Sequence, residues 1–238
     1  MLGNILITGG ARRIGRHISI SLAERGYDIT LLHGHSDVEA DNVADEIRSF
    51  GRNCFVVKID LDDSKLISTH LESIPDNIKL TGLINNAAIF EPVTFETTSL
   101  EAWERHLRIN LSAPFILSKW FCERLDPDSE ARIINILDWR ALRPGDDYFP
   151  YTISKAALAA LTRSLAVTLA PRITVNGIAF GAILPPSDSS PAEKMLLNVP
   201  KKRTANLEEV IQTIRFLLEG PGYITGEIIH LDGGRHLV

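Results

Sequence analysis

A tyrosine and a lysine open the longest helical pattern in the chain. Tyr151 and Lys155 stand at positions i and i+4 of an alanine- and leucine-rich run that ends before Pro171, so both side chains lie on one helix face. An ammonium group beside a phenol lowers the pKa of the phenol from about 10 towards neutrality. Such a tyrosine can give or take a proton during a reaction. Surface helices also carry this spacing, so the pair must be interpreted with the elements that position it.

A glycine-rich turn lies near the start of the chain, where Thr8-Gly9-Gly10-Ala11-Arg12-Arg13-Ile14-Gly15 joins a short apolar run to a helical pattern. Gly9 and Gly10 permit a tight turn and the close approach of a pyrophosphate, and Gly15 permits close packing of the helix on a sheet. The amino terminus of the helix favours an anion. The turn therefore predicts a dinucleotide site.

The end of the second predicted strand distinguishes between the two nicotinamide dinucleotides. An NAD-binding chain usually carries an acid there, which binds the ribose 2′-hydroxyl. Here the stretch from Leu31 to Ser36 has no acid, and Asp37 lies beyond the expected place. Arg12, His35 and Ser36 would instead meet a 2′-phosphate. We therefore predict a preference for NADPH.

Residues that follow the later strands complete the predicted cofactor site. Asp60 and Leu61 follow the third strand, where a carboxylate can reach the adenine amino group, and the run from Asn85 to Ala88 follows the fourth. The full predicted set is Gly9, Arg12, Arg13, Ile14, Gly15, His33, His35, Ser36, Asp60, Leu61, Asn86, Ala87, Ala88, Lys155, Gly181 and Ile183.

Strand-like and helix-like segments alternate along the whole chain. Apolar strand-like runs cover 4–8, 29–33, 54–59, 80–85, 132–137, 173–178 and 227–231. Helical patterns cover 14–25, 38–50, 66–74, 100–123 (with a kink near Pro114), 151–169 and 207–218. This order predicts an α/β fold, a Rossmann-type doubly wound parallel sheet of about seven strands with helices on both faces. We expect residues 1–238 to form one domain, in which the Pro- and Ser-rich stretch 180–205 is a substrate lid.

Composition narrows the range of functions. The 238 residues carry a formal net charge of -5 and no basic stripe, which argues against a nucleic-acid binder. No apolar run approaches the roughly 20 residues that span a bilayer. The two cysteines, Cys54 and Cys122, lack metal spacing and suggest a reducing compartment, so we expect a cytoplasmic protein without a metal site.

Taken together and in order, these motifs resemble the short-chain dehydrogenase/reductase family over essentially the whole chain. The resemblance is carried by the motifs above, by Asn110, by the run from Asn176 to Ala179 and by Leu231-Asp232-Gly233-Gly234. It implies that Tyr151 donates a proton, that Lys155 tunes Tyr151 and holds the nicotinamide ribose, and that Asn110 supports a water relay. It also implies a homodimer or homotetramer.

Two departures from the family pattern resemble one branch, the pteridine reductases and the related bacterial dihydromonapterin/dihydrofolate reductases. Asp138 replaces the usual serine, and Arg13 replaces the middle glycine of the first turn. Phe90, shortly after the Asn-Asn-Ala run, suits a flat pterin stacked against the nicotinamide. The predicted substrate-binding residues are Arg13, Phe90, Asp138 and Tyr151, and Asp138 joins Tyr151, Lys155 and Asn110 as the predicted catalytic residues.

The resulting hypothesis is that NADPH gives a hydride to a C=N bond of a dihydropterin while Tyr151, with Asp138 and Lys155, supplies the proton. Two alternatives remain open. A carbonyl reductase of the same fold would act on 3-oxoacyl thioesters, sugars or steroids. A non-catalytic NADP(H)-sensing protein would keep the dinucleotide site but would have no need of the Tyr151 and Lys155 pair.

Overall fold

The computed structural model describes residues 2–184 and 196–238. These residues form seven strands: β1 (Asn4–Thr8), β2 (Asp28–His33), β3 (Cys54–Lys58), β4 (Leu80–Asn85), β5 (Ala131–Asp138), β6 (Ile173–Phe180) and β7 (Ile228–Leu231). The α-helices of the described residues are α1 (Arg13–Arg25), α2 (Asp37–Ser49), α3 (Ser64–Leu71), α4 (Leu100–Leu107), α5 (Ala113–Arg124), α6 (Phe149–Leu169) and α7 (Leu207–Glu219).

The strands form one parallel sheet in the order β3-β2-β1-β4-β5-β6-β7. Helices cover both faces of this sheet. One apolar core packs α1, α2 and α7 against the sheet, and a second core packs α3, α5 and part of α6 against the opposite face. Because both faces are covered, a central strand such as β1 is buried along its whole length. This arrangement confirms the predicted fold class.

The order of the strands reverses beside β1. From β1 the chain moves outward through β2 to β3, then crosses back to place β4 on the other side of β1. The loops that follow β1 and β4 therefore diverge at the carboxyl edge of the sheet and leave a crevice, which is where ligands bind in open sheets of this kind.

The long helical pattern over 100–123 is interrupted just before Pro114, as predicted. It divides into α4, a π-helical turn over Arg108–Ser112 and α5. The break precedes Pro114 because proline crowds the carbonyl four residues before it, and the Ala113 amide donates to the carbonyl of Arg108, five residues back. The buried Asn110 lies within this turn.

Strand β6 continues to Phe180, two residues beyond its predicted end, so Phe180 belongs to the sheet and not to the predicted lid. Residues 185–195 of that lid lie outside the described residues. Among the helices that the structure describes, none combines the length and the hydropathy needed to cross a membrane.

Candidate active site

The turn after β1 is shaped by two glycines. Gly9 has φ +63°, a left-handed conformation, and a β-carbon on it would lie 3.2 Å from Ala87. A β-carbon on Gly15 would overlap the carbonyl oxygen of Gly9. The turn and the first turn of α1 therefore pack too closely for side chains at these positions.

No side chain caps the amino terminus of helix α1. Arg12 is the N-cap residue, its side chain accepts no capping hydrogen bond, and the first turn contains no acid. The amide groups of this turn retain their partial positive charge, which suits a phosphate. Arg13, where the family pattern has glycine, has φ +50°, and a non-glycine residue in this region carries some backbone strain.

A cleft of about 550 Å³ opens beside this turn at the carboxyl edge of β1, β2 and β3. Its walls include nine of the predicted cofactor-binding residues: Gly9, Arg12, His33, His35, Ser36, Asp60, Leu61, Ala87 and Ala88. Its remaining walls are residues that the sequence did not single out: Leu32, Gly34, Ile59, Asp62, Ile89, Arg105 and Ile109. Most of these residues are neighbours of predicted residues in the sequence. Arg105 is different, because it comes from α4, and nothing in the sequence of α4 indicated a role in the cofactor site.

Charged pairs border the cleft. The Arg12 guanidinium lies 3.6 Å from Glu39, and the His35 ring lies 3.6 Å from Asp60. All four of these side chains are largely exposed, so the pairs are weak and can be exchanged for a ligand. His33 is buried with Nδ1 unpartnered among the described residues, and burial lowers the pKa of this histidine. His33 therefore lines the cleft with a ring whose charged form is disfavoured by burial.

The remaining predicted cofactor residues, Arg13, Ile14, Gly15, Asn86, Lys155, Gly181 and Ile183, are not among the residues that line this cleft. Asn86 donates from Nδ2 to the carbonyl of Thr8, at 2.9 Å, and so holds the turn after β1 to the turn after β4. A β-carbon on Gly181 would lie 2.6 Å from the Cα of Asp232. The Ile183 side chain is buried in the apolar core, so a contact between Ile183 and a cofactor would use its backbone.

Tyr151, Asp138 and Lys155 lie together at the start of α6. The Tyr151 hydroxyl donates to a carboxylate oxygen of Asp138 at 3.2 Å, and the Lys155 ammonium donates to the carbonyl of Ile136 at 2.7 Å. The side chain of Asp138 is 14% exposed, and Lys155 is 2% exposed. The structure thus brings together a phenol, a carboxyl group and an ammonium with little solvent around them.

The electrostatics of this group differ from the sequence prediction. We predicted that Lys155 lowers the pKa of Tyr151, but burial and the neighbouring Asp138 raise the pKa of the phenol well above its ordinary value. Burial also raises the pKa of Asp138 and lowers the pKa of Lys155 to about 8. The prediction was wrong for this structure because the Tyr151 hydroxyl is buried and hydrogen-bonded to the Asp138 carboxyl group. The Lys155 ammonium is hydrogen-bonded to a backbone carbonyl instead.

Asn110 connects the π-helical turn to α6. Its side chain accepts from the Ile89 amide at 2.9 Å, donates to the Ile89 carbonyl at 3.1 Å and donates to the Ser154 hydroxyl at 3.0 Å. Asn110 thereby fixes the loop after β4 beside the helix that carries Tyr151. Its predicted part in a water relay stays a prediction.

Aromatic rings form one wall next to Tyr151. The ring of Phe90 stacks on Tyr148 with a centroid distance of 3.9 Å and meets Tyr151 edge to face at 4.6 Å. Phe90 is 49% exposed, which is inconsistent with simple core packing. The Arg140 guanidinium lies 5.0 Å from the centroid of Tyr148 and forms two hydrogen bonds with Asp147, at 3.2 and 2.9 Å. A flat polar ring would find an apolar face here.

With this geometry established, comparison with known proteins identifies the family. A family model described as short chain dehydrogenase matches residues 3–195, so the chain belongs to the short-chain dehydrogenases. A 3-oxoacyl-[acyl-carrier-protein] reductase of Aquifex aeolicus is 34% identical over an alignment of 239 positions, which covers 96% of this chain and 95% of that protein.

Solved structures agree with this assignment. FolM alternative dihydrofolate reductase 1 from Brucella canis, complexed with NADP, has a TM-score of 0.89 and 36% identity, covering 99% of this chain and 95% of that chain. A blue fluorescent protein from a metagenomic library, in complex with NADPH, has a TM-score of 0.91 and 28% identity, covering 98% and 97%. The predicted family, the oxidoreductase class and the predicted nicotinamide cofactor are thereby confirmed.

Proposed function

We propose that this chain is an NADPH-dependent reductase of dihydropterins such as dihydromonapterin, dihydrobiopterin or dihydrofolate, with Tyr151 as proton donor. The observation that carries the proposal is the carboxyl group of Asp138, 3.2 Å from the Tyr151 hydroxyl and almost excluded from water. Reduction of a C=N bond leaves a ring nitrogen that needs a proton. Burial raises the pKa of the Asp138 carboxyl group, which makes this group better suited to supply the proton than a serine hydroxyl.

The residues at the carboxyl edge of the sheet fit a nicotinamide dinucleotide. The packing of Gly9 and Gly15 leaves a backbone cradle, and the uncapped start of α1 attracts a pyrophosphate. Arg12, His35 and Ser36 line the part of the cleft where a 2′-phosphate would lie, and we propose that they produce a preference for NADPH over NADH. When bound, the reduced nicotinamide supplies a hydride.

In this proposal, residues of the chain supply the proton that the reduced substrate needs. Because burial raises the pKa of Asp138, its carboxyl group retains a proton to higher pH than an exposed aspartate. Tyr151 connects this carboxyl group to the substrate side and gives up a proton that Asp138 can replace. Lys155, held by the Ile136 carbonyl, stabilises negative charge that develops on the phenol and is available for the ribose hydroxyls.

The aromatic wall supports a flat substrate. The half-exposed ring of Phe90 stands beside Tyr151 and offers a stacking surface for a pterin. Arg13 projects from the same edge of the sheet and would contact the polar rim of the pterin or the cofactor phosphate. The likeness to the Brucella FolM structure, at 36% identity, also supports a dihydropterin substrate.

The proposal is tested by replacing the carboxyl group. Purified protein with NADPH should reduce dihydromonapterin or dihydrofolate, followed by the loss of NADPH absorbance. Asp138→Ser should lower pterin turnover by about 100-fold, within the range of general acid–base effects, and leave NADPH binding within about twofold. Asp128→Ser, at an exposed position, is the matched control. Full pterin turnover by Asp138→Ser would refute the role given to the carboxyl group.

A second candidate is a carbonyl reductase, favoured by the 34% identity to a 3-oxoacyl-[acyl-carrier-protein] reductase. The same preparation should therefore be assayed with an acetoacetyl thioester. Robust turnover of the thioester with none of any pterin would replace our proposal by this one. Tight NADPH binding without turnover of either substrate class would support a non-catalytic sensor.

We also propose that the chain acts in the cytoplasm as a homodimer or homotetramer. Both cysteines are free, and burial raises the pKa of each thiol to about 11, which suits inert thiols in a reducing compartment. Light scattering of the purified protein would give the oligomeric state directly, and a monomer at all concentrations would contradict this part of the proposal.

A further inference from the structure

Three arginines surround Trp139, the residue that directly follows Asp138. The Arg140 guanidinium lies 4.6 Å from a ring centroid of Trp139, and that of Arg235 lies 4.8 Å from it. Arg143 donates from Nη1 to the backbone carbonyl of Arg235 at 3.5 Å. We call Arg140, Arg143 and Arg235 the arginine cluster. It joins the turn after β5 to the end of the chain after β7.

Only one member of the arginine cluster is neutralised. Arg140 forms a bidentate pair with Asp147 and also lies 3.6 Å from Asp138. Among residues 2–184 and 196–238, no carboxylate lies within ion-pair distance of Arg143 or Arg235. The structure therefore concentrates positive charge that its described carboxylates do not balance.

Arg235 shows the consequences of this imbalance. Its Nη1 is buried and, among the described residues, has no hydrogen-bond partner. Burial and then repulsion from Arg140 and Arg143 lower the pKa of Arg235. Guanidinium groups remain charged in proteins, so this charge is held at a cost in free energy. An anion at the accessible part of this partly buried guanidinium would offset the repulsion among the three arginines.

The arginine cluster lies beside the proposed reaction centre. Asp138 precedes Trp139, and the Arg140 guanidinium is 5.7 Å from the centroid of Phe90, the proposed stacking surface. If a ligand ring lies against Phe90 and its substituent points towards Trp139, that substituent would meet Arg235, whose guanidinium is 4.8 Å from the Trp139 ring centroid. The planar donor fork of arginine matches carboxylate and phosphate groups.

We infer that Arg235, assisted by Arg143, binds an anionic group on the substrate, a carboxylate or a phosphate joined to the reducible ring by a tether. This inference rests on the proposed reduction of pterins and specifies their class. The chain would prefer pterins with an acidic tail to those with a neutral polyol tail. Arg140 would keep the aromatic wall and Asp138 in place, because its own charge is already paired.

The test compares three substrates in the full-length protein with NADPH. Dihydromonapterin has a neutral tail, dihydrofolate carries carboxylates, and dihydroneopterin monophosphate carries a phosphate. We expect Arg235→Gln to lower kcat/KM by about 10- to 100-fold for the acidic substrate that the site accepts. The loss of one charge-assisted hydrogen bond produces an effect of about this size. The value for dihydromonapterin should stay within about threefold of wild type. Arg235→Lys should restore part of the loss, and Arg163→Gln, an exposed arginine on α6, is the matched control.

Each outcome is decisive. A loss confined to dihydrofolate identifies a carboxylate site, and a loss confined to the phosphorylated pterin identifies a phosphate site. Equal losses for all three substrates, or no loss for any of them, would overturn the inference while leaving the proposed function intact. Lack of pterin turnover by the wild-type protein would instead refute the proposed function, and this inference with it. The dihydromonapterin activity and the NADPH affinity of each variant show that it is folded.

Discussion

The buried ammonium of Lys155 predicts an unusual dependence of stability on pH. The pKa of Lys155 falls from 10.5 to about 8 in the folded chain because burial disfavours its charged form. Below pH 8 both the folded and the unfolded chain hold this proton, and the folded chain carries the full cost of the buried charge. Between pH 8 and pH 10.5 the folded chain releases the proton while the unfolded chain keeps it, so stability rises with pH.

The size of this effect follows from the shift in pKa. A change from 10.5 to about 8, at about 1.4 kcal/mol for each pKa unit, amounts to about 3 kcal/mol in full. Linkage places about 2 kcal/mol of this between pH 8 and pH 10. Lys155 is 2% exposed, so solvent does little to screen the interaction.

Lys155→Met removes the titrating group and preserves the volume of the side chain. The Ile136 carbonyl loses its donor in this variant, but that loss is the same at every pH. Urea unfolding of both proteins without cofactor, at intervals from pH 8 to pH 10, gives the difference in their free energies of unfolding. The wild type should gain about 2 kcal/mol relative to Lys155→Met across this range. A difference that does not change with pH would show that the pKa of Lys155 is not lowered, and would refute the reasoning.

Three further predictions concern the proton donor and the dinucleotide site. Tyr151→Phe should lower kcat by about 100-fold or more and leave the Kd of NADPH, measured by fluorescence titration, within about twofold; unchanged turnover would exclude Tyr151 as donor. Arg12→Ala should weaken NADPH by about 10-fold and NADH by less than about twofold, and equal losses would argue against a 2′-phosphate contact. Gly15→Ala should cost about 1–3 kcal/mol of stability in thermal unfolding, because its β-carbon would overlap the Gly9 carbonyl oxygen. Gly34→Ala is the control and should cost less, because a β-carbon at Gly34 would lie 3.8 Å from its nearest atom.

Much of the fold could be predicted because its determinants are local. A strand such as β1, buried on both faces, appears as a continuous apolar run, and the amphipathic helices between strands show their period directly. The break near Pro114 could be predicted from the proline, but its π-helical form could not. The bonding of the π-helical turn over Arg108–Ser112 depends on how Asn110 is packed, which a local pattern does not contain.

The candidate site also contains residues that the sequence could predict and residues that it could not. Residues that follow strands, such as Asp60 and Ala87, could be predicted to meet because parallel strands end at one edge of the sheet. Arg105 could not, since it reaches the cleft from helix α4 through tertiary packing. The pKa of Tyr151 was mispredicted because helix spacing places Lys155 nearby but says nothing about burial or about the bond to Asp138.

The way that burial acts on both partners of Tyr151 suggests where the substrate's proton originates. Burial makes Asp138 a weaker acid and Lys155 a weaker base, so a phenol between them has little tendency to ionise on its own. A proton that leaves Tyr151 towards the substrate must therefore be replaced as it leaves, and the carboxyl group at 3.2 Å is placed to do this. In the proposed mechanism, Tyr151 serves as the relay and Asp138 as the source of the replacement proton. We propose that a carboxylic acid, even with its pKa raised by burial, gives up a proton far more readily than a serine hydroxyl, and that Asp138 therefore suits reduction of a ring nitrogen.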